Sequence, residues 1–156
     1  MMKTRLVVRM RGMQTSSDLA CDVQHMGDSF SLVLHVKPVP ASRPRVGRWG
    51  TYYGKTYKTY REAAEGAIPL CSSEPLTGEL GCTVVFVCHR PKTTKRITPL
   101  GDLDNHLKSI LDAIVGHPQR PKGYIGDDDQ ITHIDATKRW VTEGEEPHTL
   151  VTIGKI

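Results

Sequence analysis

Apolar positions along this chain fall into a few clear patterns separated by proline- and glycine-rich breaks. Phe30-Ser-Leu-Val-Leu-His-Val36 alternates and predicts a first strand, ended by Pro38, Pro40 and Pro44. Around Glu62–Ala67 the composition turns helical, and Pro69 closes that stretch. Leu80-Gly-Cys-Thr-Val-Val-Phe-Val-Cys88 is a near-continuous apolar run, expected as a central strand buried on both faces. Leu103, Leu107, Ile110, Leu111 and Ile114 recur at helical spacing. They predict a helix over residues 104–115, with Asp104 as N-cap and Gly116 just past its end. A loop follows over residues 117–123. Residues 131–140 and 150–153 read as two further strands joined across the Gly144–Pro147 turn. The order predicts one α/β (α+β) domain, a small mixed sheet flanked by helices, over residues 29–156.

Composition narrows the class. At 156 residues, 38% apolar and 24% charged, the chain has enough material for one ordinary globular core. No apolar run approaches 18 residues and no signal-peptide core is visible, so no membrane association and a cytoplasmic location are expected. Cys21, Cys71, Cys82 and Cys88 form no C-x2-C pair and lack histidines at zinc-finger spacing. They are expected to be buried thiols outside any disulfide. Residues 1–28 differ from the rest: Lys3, Arg5, Arg9 and Arg11 precede the first acid, Asp18, and no periodicity follows. A basic arm, a leader from an early start codon and a targeting peptide all fit this stretch. It is expected to be a poorly ordered extension.

Charge is distributed unevenly. The net charge is +4, a mild preference for polyanionic partners. Residues 37–61 hold Lys37, Arg43, Arg45, Arg48, Lys55, Lys58 and Arg61 with no acid. Interleaved are Trp49, Tyr52, Tyr53, Tyr57 and Tyr60. Such a mixture fits a strand-contacting loop, with arginines and lysines on phosphates and Trp49 or Tyr53 stacking on bases. The alternative is a solvated loop whose tyrosines pack on the sheet. A second basic loop, residues 89–99, carries Arg90, Lys92, Lys95 and Arg96, and Arg120 and Lys122 offer a further contact. His106 and His117 flank the helix and read more simply as surface histidines than as cleft residues. Trp140 reads as core or as dimer interface.

Against this basic background stand Asp102, Asp104, Asp112, Asp127, Asp128 and Asp129, six carboxylates in 28 residues. Carboxylates at that density repel one another unless a cation or several basic side chains neutralise them, so Mg2+ or Mn2+ is the first ligand to consider. Asp104, Lys108 and Asp112 share one edge of the helix. Twelve helical residues run about 18 Å, and the stretch from Gly116 to Gly126 can span roughly 30 Å, enough to return Asp127–Asp129 to the helix start. A divalent cation there can activate water and stabilise a leaving oxygen, with Lys108 facing the scissile phosphate. Helix capping, an exposed Asp104–Lys108 pair and a solvated turn would account for the same acids one at a time.

Asp102-Leu-Asp104-Asn105-x-x-Lys108-x-x-x-Asp112, followed by Asp127-Asp128-x-Gln130, resembles the RusA-type Holliday junction resolvases, crossover junction endodeoxyribonucleases of bacteria and their phages and prophages. Val39-Pro40-x-x-Arg43-Pro44-Arg45 also resembles the family's start, and the likeness covers about residues 30–153. It implies a small α/β domain working as a homodimer, which cuts two strands of a four-way junction with Mg2+ or Mn2+. It implies Asp102, Asp104 and Asp128 as catalytic acids and metal ligands, Asp127 as a supporting ligand and Lys108 as the essential lysine. Asn105 matches the motif's asparagine, and with Arg43, Arg45, Arg48, Lys55 and Arg96 it forms the expected DNA-binding set. Some members carry basic residues just before the first Asp, where Leu100-Gly101 stands here, and Asp129 leaves open which acid ligates. A nuclease for flaps, forks or other branched DNA, and an inactive junction-binding protein, are the competing functions. Intact acids and Lys108 weigh against the latter.

Overall fold

A computed structural model describes residues 20–115 and 123–156. Seven strands and two helices follow in order: β1 (Cys21–His25), β2 (Ser29–Leu34), β3 (Arg45–Gly47), β4 (Gly50–Tyr52), α1 (Lys55–Ala67), β5 (Leu80–Cys88), α2 (Leu103–Ile114), β6 (Ile131–Trp140) and β7 (His148–Lys155). A 3-10 turn, Asp128–Gln130, precedes β6. The main sheet runs β1-β2-β7-β5-β6, and β3 and β4 form a separate hairpin. This is the mixed sheet and single α+β domain that the apolar pattern predicts.

Register explains which face carries the core. Leu32, Val151 and Val84 pair across β2, β7 and β5, and Phe30, Ile153 and Cys82 form the next row. All six are buried. Because side chains alternate along a strand, the intervening positions Val33, Leu150 and Val85 line the other, more exposed face. Tyr57, Tyr60 and Ala64 of α1 and Ile110 and Ile114 of α2 join the buried rows in one core. The pair β5–β6 is parallel, which requires a crossover, and α2 supplies it.

Several expectations change. The stretch assigned to an N-terminal extension contains β1, which pairs with β2 through a turn with Gly27 at φ 63°. Cys21 and Val23 pack with the core there. Residues 1–19 lie outside the described residues. The first helix begins at Lys55, because Tyr57 and Tyr60 supply its first buried turn. Asp102, not Asp104, is the N-cap of α2, and its side chain makes no cap hydrogen bond. Strands β6 and β7 are not neighbours, for β5 lies between them. Their link closes on itself instead: Arg139 binds both Glu145 oxygens at 2.7 Å, and Thr142 N donates to Glu145 at 2.9 Å. Strand β5 is interior, between β7 and β6, but β7 is the central strand, and β5 is not buried on both faces, for Thr83 is exposed. The four cysteines are buried and in no disulfide. Among the described residues no helix is long and apolar enough to cross a membrane.

Candidate functional site

The site is built around a cleft of about 1240 Å3. One wall is the β3–β4 hairpin and the outer face of α1, with Arg45, Tyr52, Tyr53, Lys55, Lys58 and Arg61. The opposite wall carries Lys108 and Asp112 of α2 and Asp128 of the 3-10 turn. Glu62 and Glu65 also line the cleft, each opposite a base one turn earlier, at 4.0 Å from Lys58 and 3.7 Å from Arg61. The cationic segment and the carboxylates thus face each other across one opening.

The acid turn is held by Gln130. Its Oε1 accepts from Gly126 N at 2.9 Å and Asp127 N at 3.1 Å. Its Nε2 donates to Leu76 O and Gly78 O, both at 3.1 Å. Ile125 bridges Leu76 on one side and Val115 on the other, so the turn is set beside the end of α2. Asp127 caps the turn and accepts from Asp129 N at 3.1 Å. That bond, then a hydrogen bond from Asp128, lowers the Asp127 pKa. Asp128 is raised, first by the same hydrogen bond with Asp127, then by burial and by the charges of Asp127 and Asp112, with Lys108 opposing. The two carboxyls repel each other where a cation could relieve them. Their oxygens are the donor type a hard divalent ion takes, although among the described residues no third acid joins them.

Along α2 the acids are spread out. Lys108 Nζ reaches Asp112 at 3.3 Å, so the helical ion pair joins these two residues rather than Asp104 and Lys108. Asp104 lies in the first turn and is exposed, as is Asp102. Neither lines the cleft. Among the described residues no group of three or more His, Cys, Asp or Glu side chains is drawn together to hold a metal.

What precedes Asp102 is firmly fixed. Lys138, from β6, donates to Pro99 O at 2.9 Å and to Gly101 O. His106 Nε2 lies 3.0 Å from Leu100 O and, facing a carbonyl, carries the hydrogen. His106 is 1% exposed, not a surface histidine, and burial lowers its pKa, as does the Lys138 charge. Gly101 sits at φ 90°, where a Cβ would come within 2.6 Å of Pro40. Ala41 N donates to Asn105 O at 2.9 Å, tying the proline-rich strand exit to α2.

Of the expected DNA-binding residues, Arg45 and Lys55 line the cleft. Arg43 and Arg48 are exposed outside that lining, and Arg48 lies 5.4 Å from the Trp49 ring centroid. Arg96 turns back on its own loop to Thr98 O at 3.4 Å. Trp140 is half-buried and pins that loop through Ile97 O at 2.9 Å. Asn105 is half-buried beside the acids. Gly116, His117, Arg120 and Lys122 lie outside the described residues. Gln130 and Lys138 carry structural duties that residue type alone does not announce. The only sequence sign of the former was its fixed place after the paired acids.

A small α+β domain whose cleft sets Arg45, Lys55, Lys58 and Arg61 against Lys108, Asp112 and Asp128 offers a polyanion a largely cationic seat. Residues 35–154 match the family model described as Endodeoxyribonuclease RusA, and the chain belongs to that family of nucleases acting on branched DNA junctions. A search of curated proteins gives no match.

Proposed function

We propose that this protein is a divalent-metal-dependent resolvase that hydrolyses phosphodiesters at four-way junctions, cutting paired strands as a homodimer. The observation that carries this reading is the cleft in which Asp128, Lys108 and Asp112 face Arg45, Lys55, Lys58 and Arg61. Asp128, supported by Asp127, would hold Mg2+ or Mn2+ together with Asp102 and Asp104, which lie outside the cleft lining and would have to close on the ion. The ion would supply charge neutralisation and an activated water. Lys108 keeps one N–H on Asp112 and has others to offer a phosphate oxygen. Arg45, Lys55, Lys58 and Arg61 grip the backbone, with Arg43, Arg48 and Arg96 as outer contacts. A symmetric junction cut twice needs two sites, which a two-fold dimer supplies.

The test is cleavage of a synthetic four-way junction beside duplex, flap and single strand, with Mg2+, Mn2+ or EDTA. Preferred cutting of the junction, abolished by EDTA, is expected. Indifference to EDTA would remove the metal, and faster cutting of a flap would reassign the substrate.

A further inference from the structure

The β3–β4 hairpin presents an indole to solvent. Trp49 is 93% exposed at its tip, and Val46 beside it is 86% exposed. A single exposed apolar side chain is ordinary, as Ile97 at 92% shows, but this one is an indole among basic residues. The hairpin is short and makes its own two-stranded sheet. Gly50 at φ 121° lets the chain turn back after Trp49. The ring of Tyr52 lies over Gly47, within 3.0 Å of where a Cβ would stand, so Tyr52 closes the base of the hairpin. Tyr53 is also engaged: it meets Tyr57 edge-on at 5.2 Å and lies under Arg61 at 5.1 Å. Trp49 alone of these three projects past the cleft wall, with Arg48 over its ring.

We propose that Trp49 is the branch-sensing residue, stacking its indole on a base-pair face left open where the DNA helix is interrupted. This rests on the reading of the protein as a branched-DNA nuclease. Charge selects the partner: residues 37–61 carry seven basic side chains and no acid, so the hairpin is driven toward a polyanion and repelled from a basic surface. Chemistry selects the site on that partner. In continuous duplex every base face is covered by the next pair, and an indole gains little. At a crossover, faces are exposed or easily parted, and an aromatic wedge can replace the missing neighbour. The hairpin adjoins the cleft through Arg45 and Tyr52, so an indole seated at the branch would set the distance from branch to cut.

The test uses binding in EDTA, where no strand is cut. Trp49→Ala is expected to weaken four-way junction binding by about fivefold or more while changing linear duplex binding by about twofold or less. It should unfold at the parental temperature, and Trp49→Phe should recover most of the loss. In Trp140→Phe, Trp49 is the sole tryptophan, and its emission should be quenched by the junction but not by duplex. Equal quenching by both would overturn branch sensing. Unquenched emission with tight junction binding would overturn stacking yet leave the nuclease reading intact. Quenching that follows protein concentration without DNA would assign the indole to a second copy of the chain. Absence of junction binding by the parent would overturn both proposals.

Discussion

The acid turn and the β3–β4 hairpin face each other across one cleft, yet they are built on opposite principles. The amides of Gly126, Asp127 and Asp129 are engaged by Gln130 or by Asp127 itself, and Gln130 ties the turn to the Leu76 and Gly78 carbonyls. The hairpin forms its own two-stranded sheet, with Trp49 and Val46 exposed. Groups that must meet a reacting atom within a fraction of an ångström need a fixed frame. Groups that meet a large, variable duplex do better if they can adjust. Under the proposed function, chemistry belongs to the clamped side and recognition to the open side.

The contrast is most severely tested on the clamped side. Asp104→Asn should abolish junction cleavage while junction binding is kept or improves, since it removes a carboxylate and a negative charge together; parental cutting would disprove the site. Lys108→Ala should lose cleavage about as completely. Its exposed pair with Asp112 is worth only a few tenths of a kcal/mol, so the melting temperature should barely move. A matching loss of stability would make Lys108 structural. Gln130→Ala should lower stability by about 1–2 kcal/mol, read by urea unfolding, and slow cleavage more than tenfold as the acids lose their frame. Lys138→Met should lower stability by about 1 kcal/mol and raise the Mg2+ concentration needed for half-maximal cutting. Lys138→Arg should recover part of both. If Lys138→Met moves stability alone, the loop before Asp102 needs no such anchor.

The smallest effect lies outside the cleft. Arg139 first, then Thr142, lowers the Glu145 pKa well below its ordinary 4.5. A carboxyl lowered in the folded state stabilises above its unfolded pKa and loses that contribution as pH falls through the folded value. Glu145→Gln should therefore flatten the dependence of melting temperature on pH below about 4.5, leaving cleavage at neutral pH unchanged.

Legibility in the sequence followed periodicity. Strand β5 and helix α2 are long and regular, and both emerged nearly as their apolar residues predict. Strand β1 was hidden because only Cys21 and Val23 mark its inner face. The hairpin strands have three residues each, too few to show alternation. Sheet order was not legible from the Gly144 turn, which reads as a hairpin. It follows instead from polarity: β6 is exposed along most of its length and takes an edge, while apolar β5 requires a neighbour on each side. At the site, residue types marked the acids and Lys108 but not their scaffolding. His106 looked like a surface residue because its partner, the Leu100 carbonyl, is main chain and has no signature.

Gln130 has a consequence for when the enzyme comes into being. It fastens the acid turn to residues 76–78, more than fifty positions upstream, while Pro40 and Ala41 brace the start of α2. Segments from nearly the whole length of the chain must meet before the carboxylates take their places. A nascent chain still on the ribosome short of residue 130, or a proteolytic fragment missing either partner, has the acids without the frame. Under the proposed function, the nuclease is thus armed only by completed folding.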